Sequence, residues 1–243
     1  MNSFYTSIAP WYDQIFPYSP EQHDFVLSYG DNHHLSLADV GCGTGSLIRS
    51  LAKVYRKTAG LDPDHSMLEV ARAKAHVAPV STWFIQAGML ELVAELGRHS
   101  TDRLICFGNT LPHLNNETEV SEFVRQAALV LKPGGLLMLQ IINYDRIFDQ
   151  NLQGLPTIED DEIRFERIYR YEPGSIHVRF ITRLKLKKSG LEVENEVPLF
   201  AIRPGQLRRI LEEFGFGGIQ EFGNFKRAEF TNQSQPYIVT AAI

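Results

Sequence analysis

The chain has 243 residues, 44% of them hydrophobic and 22% charged, which suits one globular domain of generous size or a core domain with an insertion. Its formal net charge is -5 and its pI about 5.9, which speaks against a dedicated nucleic-acid binder, whose domain is usually basic. No run approaches the roughly 18 consecutive apolar residues of a membrane span, and the N-terminus lacks a basic region followed by an apolar run; a cytoplasmic location with no membrane partner is expected.

Residues 1–30 are rich in aromatics, among them Tyr5, Trp11, Tyr12, Phe16 and Tyr18, and Pro10 and Pro17 interrupt any long helix. Short helices forming an N-terminal lid are expected. The stretch Leu37 to Leu47 reads LADVGCGTGSL. Leu37, Ala38 and Val40 suit a strand buried on both faces. Gly41, Gly43 and Gly45 suit a turn where backbone passes close to a ligand. SLIRSLAKVY follows with apolar residues at Leu47, Ile48, Leu51 and Val54, a helical spacing. Strand, glycine turn and helix open a nucleotide-binding α/β domain. A dinucleotide fingerprint would place its third glycine at position 46, which is Ser46, and no Lys follows as a P-loop requires.

The seven residues Asp39-Val40-Gly41-Cys42-Gly43-Thr44-Gly45 closely resemble the first motif of class I S-adenosylmethionine-dependent methyltransferases. The resemblance implies an α/β fold: a Rossmann-like seven-stranded sheet, mostly parallel, with an antiparallel C-terminal hairpin. It also implies S-adenosyl-L-methionine as cofactor, with Asp39, Gly41, Gly43 and Gly45 against it. Ile8-Ala9-Pro10-Trp11-Tyr12-Asp13 resembles a lead-in of many small-molecule members, which implies that Tyr5 or Tyr12 reaches the cofactor carboxylate or the substrate; aromatic packing against the sheet is the other reading. Cys42 and Cys106 sit in apolar, strand-like settings and read as reduced buried thiols.

Lys57 to Asp62 reads as a second strand ending in an acid. Asp62 lies 17 positions beyond Gly45, near the ~20 expected for a carboxylate that accepts from ribose hydroxyls. Asp64 reads as a helix cap before Ser66–Ala75, where Met67 is core or, by the resemblance, lies against adenine. Ser81 to Met89 is a third strand ending at Gly88; Met89 stands where members commonly show Asp, which leaves its backbone N–H as the adenine contact. The fourth strand, Asp102 to Phe107, ends in Gly108-Asn109-Thr110-Leu111-Pro112-His113-Leu114, similar to a run of glycine N-methyltransferase-like enzymes. Asn109 is placed at the methionine moiety and His113 at the acceptor, as its base if a proton must leave. A hydrogen-bonded structural role is the alternative for His113. Glu117–Leu131 is a helix stopped by Lys132-Pro133-Gly134-Gly135, and Leu136–Ile142 is an apolar fifth strand. Asn143-Tyr144-Asp145 resembles a motif of glycine- and sarcosine-methylating enzymes, with Ile142 where their Arg stands; Tyr144 is a candidate acceptor contact.

From Asn151 the pattern alternates with period two over Glu162–Tyr171, Ile176–Lys188 and Leu191–Phe200, which predicts an antiparallel sheet inserted over residues 151–202. A two-residue turn at Ser189-Gly190 would pair Lys187 with Glu192, Lys185 with Glu194 and Arg183 with Glu196. The sheet is expected to roof the site, to make a homodimer contact, or both. Arg203-Pro204-Gly205-Gln206 opens a helix ending at Gly215, and Phe216–Phe225 with Tyr237–Ile243 forms the closing pair; the polar segment between them reads as a loop near the site mouth. The leading reading is methyl transfer to N or O of a small-molecule acceptor, with no metal. RNA or protein methylation, a nicotinamide-dependent oxidoreductase and a non-catalytic S-adenosylmethionine-binding module remain as alternatives.

Overall fold

The computed structural model describes residues 3–30, 32–77 and 82–243. Ser81, where the third strand was expected to start, lies outside them. Five strands run parallel: β1 (Ser36–Val40), β2 (Lys57–Asp62), β3 (Thr82–Gln86), β4 (Thr101–Cys106) and β5 (Leu131–Ile142). β1 is buried at all of its positions, as a central parallel strand covered on both faces must be. The lead-in forms α1 (Ser3–Ile8), α2 (Tyr12–Ile15) and α3 (Pro20–Leu27), with a 3-10 turn at Ala9–Trp11 around Pro10. α4 (Ser46–Leu51) follows the glycine turn, α5 (His65–Val77) follows β2, α6 (Leu92–Leu96) follows β3, and α7 (Glu117–Val130) leads directly into β5. The Lys132–Gly135 segment thus belongs to the start of β5, not to a loop before it.

After α8 (Tyr144–Asp149) the chain enters a separate antiparallel sheet, β6 (Gly154–Glu159), β7 (Ile163–Arg170), β8 (His177–Leu186) and β9 (Glu192–Phe200), in that spatial order. It returns through α9 (Pro204–Glu213) to the antiparallel pair β10 (Gly217–Phe222) and β11 (Pro236–Ala242). The large sheet has the order β10-β11-β5-β4-β1-β2-β3, so the strand order reverses between β1 and β4, the place where open α/β sheets bind ligands. One face buries Val120, Phe123, Val124 and Ala127 of α7 with Leu207, Ile210 and Leu211 of α9. The other buries Phe25 and Val26 of α3 with Leu47, Ile48 and Leu51 of α4. Cys42 and Cys106 are free thiols.

The small sheet corrects one expectation. Leu186 and Leu191 close the hairpin, with Leu186 N–H donating to the Leu191 carbonyl at 2.8 Å, and the turn spans residues 187–190 with Gly190 at φ 73°. The register therefore shifts by two residues from the expected one. Lys185 opposes Glu192 and Arg183 opposes Glu194, and both pairs form ion pairs at 2.7 Å. A shift of two keeps every side chain on its face, so alternation alone could not separate the two registers. Glu196 bonds diagonally to Arg179, and Lys187 turns to Glu159 of β6, an edge strand that the alternation did not reveal. The basic side chains of β8 are thus matched by acids, as expected for a solvated face.

The apolar face of this sheet is occupied. Ile163, Phe165 and Leu184 bury Ile8 and Ile15, with Tyr5, Trp11, Tyr12 and Phe16 packed alongside. Val178 and Tyr169 bury Tyr144 and Ile147 of α8. The lead-in helices are layered between the two sheets by sequence-distant hydrophobic contacts.

Candidate active site

The glycine turn is held in shape by its own conformations and by Asp62. Gly41, Gly43 and Gly45 have φ of 75°, 55° and 72°, the left-handed region that only glycine enters without strain. A side chain at Gly41 would run into Thr110, and a Cβ at Gly43 would sit 3.2 Å from the Tyr12 ring. Asp62, at the end of β2, accepts from Gly43 N–H at 2.8 Å through Oδ2 and from Asp64 N–H at 2.9 Å through Oδ1. Asp64 in turn accepts from Met67 N–H at 3.1 Å, which makes it the cap of α5 as expected. Met67 is fully buried beneath this turn.

Asp39 ends β1 inside the protein, and burial, with the Asp62 carboxylate adding to it, pushes its pKa up to about 7. Burial raises Asp62 to about 6, against the two backbone hydrogen bonds that lower it. Neither carboxylate has a cation partner within salt-bridge distance among the described residues. Two buried acids without cation partners beside the glycine turn form a cradle suited to a cation and a diol. The lead-in is fastened to this cradle: Asp13 bonds the Thr44 hydroxyl and the Lys74 ammonium, and Thr6 Oγ1 donates to Asp64 Oδ2 at 2.8 Å.

A cavity of about 450 Å³ opens beside the turn. The large sheet contributes Asp39, Gly41, Gly108, Asn109, Gln140 and Ile142 to its wall, the lead-in Tyr5, Tyr12 and Phe16, and the small sheet Ile158, Arg167, Phe180 and Leu199. His113 also lines it, with Nε2 2.9 Å from the Tyr5 hydroxyl. Burial lowers the His113 pKa to about 4, so the ring is neutral at ordinary pH and a weak base. Its bond to Tyr5 favours the structural alternative raised from the sequence.

Tyr144 stands apart from the cavity that Asn109 lines. Tyr144 is fully buried against Tyr169 and Ile147 and is absent from the cavity wall. Its hydroxyl accepts from Asn109 Nδ2 at 3.3 Å, while Asn109 Oδ1 accepts from Ile142 N–H at 2.9 Å. Asn109 has a φ of 62°, so its side chain ties a left-handed loop residue to the end of β5. Tyr144 thus holds Asn109, which lines the cavity, and does not line it itself. Tyr144→Phe is expected to lower stability by about 1 kcal/mol, read as an earlier denaturant midpoint, with turnover nearly intact; a loss of turnover of about a hundredfold would return Tyr144 to the acceptor.

Gly88 and Met89 lie at the end of β3, away from this cavity and on the flank of Asp62. Gly88 N–H donates to Glu91 Oε2 at 2.6 Å. Met67 is likewise absent from the cavity wall. Two polar residues escaped the sequence reading. Gln140, within the apolar run of β5, is buried and accepts from Gly108 N–H at 2.7 Å through Oε1; a lone amide in such a run was the available signal. Arg167 falls on the apolar parity of β7, a signal hidden by the charged residues around it.

A doubly wound sheet with a glycine turn, an acid at each of two adjacent strand ends and a cavity at the switch point defines a nucleotide-cofactor enzyme of the α/β class. Residues 37–135 match the family model described as a methyltransferase domain. A Geobacillus sp. (strain WCH70) protein named only as a methyltransferase is 34% identical over 171 residues, which is 66% of this chain and 66% of that one. The chain thus matches just under two thirds of that relative's length. A glycine/sarcosine N-methyltransferase of Aphanothece halophytica is 28% identical over 225 residues, 92% of this chain and 82% of that one. Among solved structures, an S-adenosylmethionine-dependent methyltransferase from Clostridium acetobutylicum ATCC 824 superposes with a TM-score of 0.84 at 16% identity, covering 98% of each chain. Residues 37–135 are thus a methyltransferase domain, on the fold of S-adenosylmethionine-dependent methyltransferases.

Proposed function

We propose that this enzyme methylates nitrogen or oxygen of a small-molecule acceptor. The supporting observation is the cavity of about 450 Å³ beside the glycine turn, walled by the large sheet, the lead-in helices and the small sheet. That volume suits a small molecule rather than a polymer segment. S-adenosylmethionine is the cofactor in this reading and supplies an activated methyl group. The chain's part is placement and exclusion of water. In this reading Asp39 and the glycine turn hold the methionine end, Asp62 takes the ribose hydroxyls, and Met67, Gly88 and Met89 flank the adenine. Tyr12 closes over Gly43, and the lead-in (residues 1–30) and the inserted sheet (151–202) act as lid and roof. The acid-matched outer face of β8 offers no unopposed basic patch for RNA.

The enzyme is to be incubated with S-adenosylmethionine and either the dialysable or the macromolecular fraction of a cell extract, and S-adenosylhomocysteine measured by mass spectrometry. Formation with the dialysable fraction is expected. Formation with the macromolecular fraction alone overturns the small-molecule reading.

A further inference from the structure

The inward face of β7 carries Ile163, Phe165 and Tyr169, each at most 1% exposed. Alternation puts Arg167 on that same face, between the two aromatics, opposite Leu155 of β6 and Thr182 of β8. A guanidinium on an apolar face is costly without a partner. Arg167 has one hydrogen bond, from Nη2 to the Pro156 carbonyl at 2.6 Å, and its Nε is buried without a partner. No carboxylate lies within salt-bridge distance of it among the described residues, whereas other arginines of this sheet, Arg164, Arg179 and Arg183, are each ion-paired on the outer face. The Tyr169 hydroxyl and Thr182 Oγ1 on the same inward face are also buried without partners. Arg167 lines the cavity beside the glycine turn, and no other Arg or Lys does so among the described residues.

We propose that Arg167 anchors a carboxylate carried by the methyl acceptor. The inference rests on the small-molecule reading above and narrows its substrate class to monoanions. Guanidinium matches the planar carboxylate with paired N–H donors. A single cation balances one negative charge, and no second Arg or Lys lines the cavity among the described residues to balance a phosphate dianion. Anchoring from the small sheet, in the cavity that Asp39 and Gly41 also line, leaves the other end of the acceptor free to present its nitrogen or oxygen at the glycine turn. The inserted sheet then contributes specificity as well as cover.

The test uses S-adenosylhomocysteine-loaded protein and a matched pair of probes, benzoate and benzamide, with inorganic phosphate as a third, followed by titration calorimetry. The wild type is expected to bind benzoate at least about tenfold tighter than benzamide and to prefer it to phosphate. Arg167→Met is expected to abolish that preference, and Arg167→Lys to retain part of it. Both variants are expected to bind S-adenosylhomocysteine as the wild type does, and Arg167→Met to melt no lower, since it removes a half-buried charge that has no ion-pair partner among the described residues. No benzoate preference in the wild type, a preference for phosphate, or an undiminished benzoate preference in Arg167→Met overturns the assignment. Failure of the wild type to bind S-adenosylhomocysteine would instead count against the cofactor site on which the small-molecule reading depends.

Discussion

Asp62→Ala is expected to weaken S-adenosylhomocysteine binding by at least about a hundredfold, or about 2.8 kcal/mol at 1.4 kcal/mol per tenfold. Two losses combine. The first is direct: a carboxylate has about four lone-pair sites, of which Gly43 and Asp64 N–H groups use two, leaving two for ribose hydroxyls. The second is preorganisation. Gly43 sits at φ 55° in a turn with left-handed glycines at alternate positions, and the bond to Asp62 is what fixes its N–H direction. Without it the turn samples other conformations before binding, and the cofactor must supply the ordering. Asp62→Asn separates the two. Its amide retains one acceptor oxygen but offers an NH₂ to a backbone donor on the other side, so affinity is expected to fall nearly as far. Calorimetric titration checks both variants, and circular dichroism confirms that the fold persists. Binding within about threefold of the wild type in Asp62→Ala would remove Asp62 from the cofactor site.

Much of this site was legible because its chemistry depends on backbone. A turn that needs left-handed conformations needs glycines, and so Gly41, Gly43 and Gly45 declare themselves in sequence. Asp62 is legible for a related reason, since strand length and crossover length fix its distance from the turn. The seven-stranded sheet could be read from apolar runs spaced by helical patterns. What failed depended on contacts between distant segments. Tyr144 stands in a suggestive triplet, but the packing of β7 and β8 over α8 buries it. His113 does line the cavity, but its bond to Tyr5 and its burial come from the lead-in and could not be read from its own segment. The hairpin register failed because two registers two residues apart offer the same faces and nearly the same charge pairs, and only the four-residue turn chooses between them. Arg167 illustrates the same limit from the other side. The sequence has Ile142 where resembling enzymes place an arginine. The fold brings a different arginine, from the inserted sheet, to the cavity that Ile142 also lines.

The affinity for S-adenosylmethionine is expected to rise steeply with pH up to about 7 and then level off. In the ligand-free protein burial holds Asp39 near 7, and Asp62 near 6. The cofactor carries a sulfonium and an ammonium, and it favours both carboxyls in their ionised form. Below these values the carboxyls must lose protons on binding, and each one costs up to about tenfold in affinity per pH unit. Between about pH 7.5 and about pH 5.5 the loss is therefore expected to exceed tenfold. The sign for stability is opposite. Both folded-state values lie above the unfolded 3.8, so from about pH 4 to 7 the ligand-free fold holds more protons than the unfolded chain. That contribution to stability is fully present below about pH 4 and is lost as pH rises through 6 and then 7. Thermal melts with and without cofactor should thus diverge with pH: these groups lower the ligand-free midpoint while binding strengthens. Asp39→Asn removes the higher of the two titrations. It is expected to melt higher than the wild type near pH 8 without ligand, to bind more weakly there, and to show a shallower pH profile. An affinity that does not change between about pH 5.5 and about pH 7.5 would mean that neither carboxylate faces the positive charge of the cofactor.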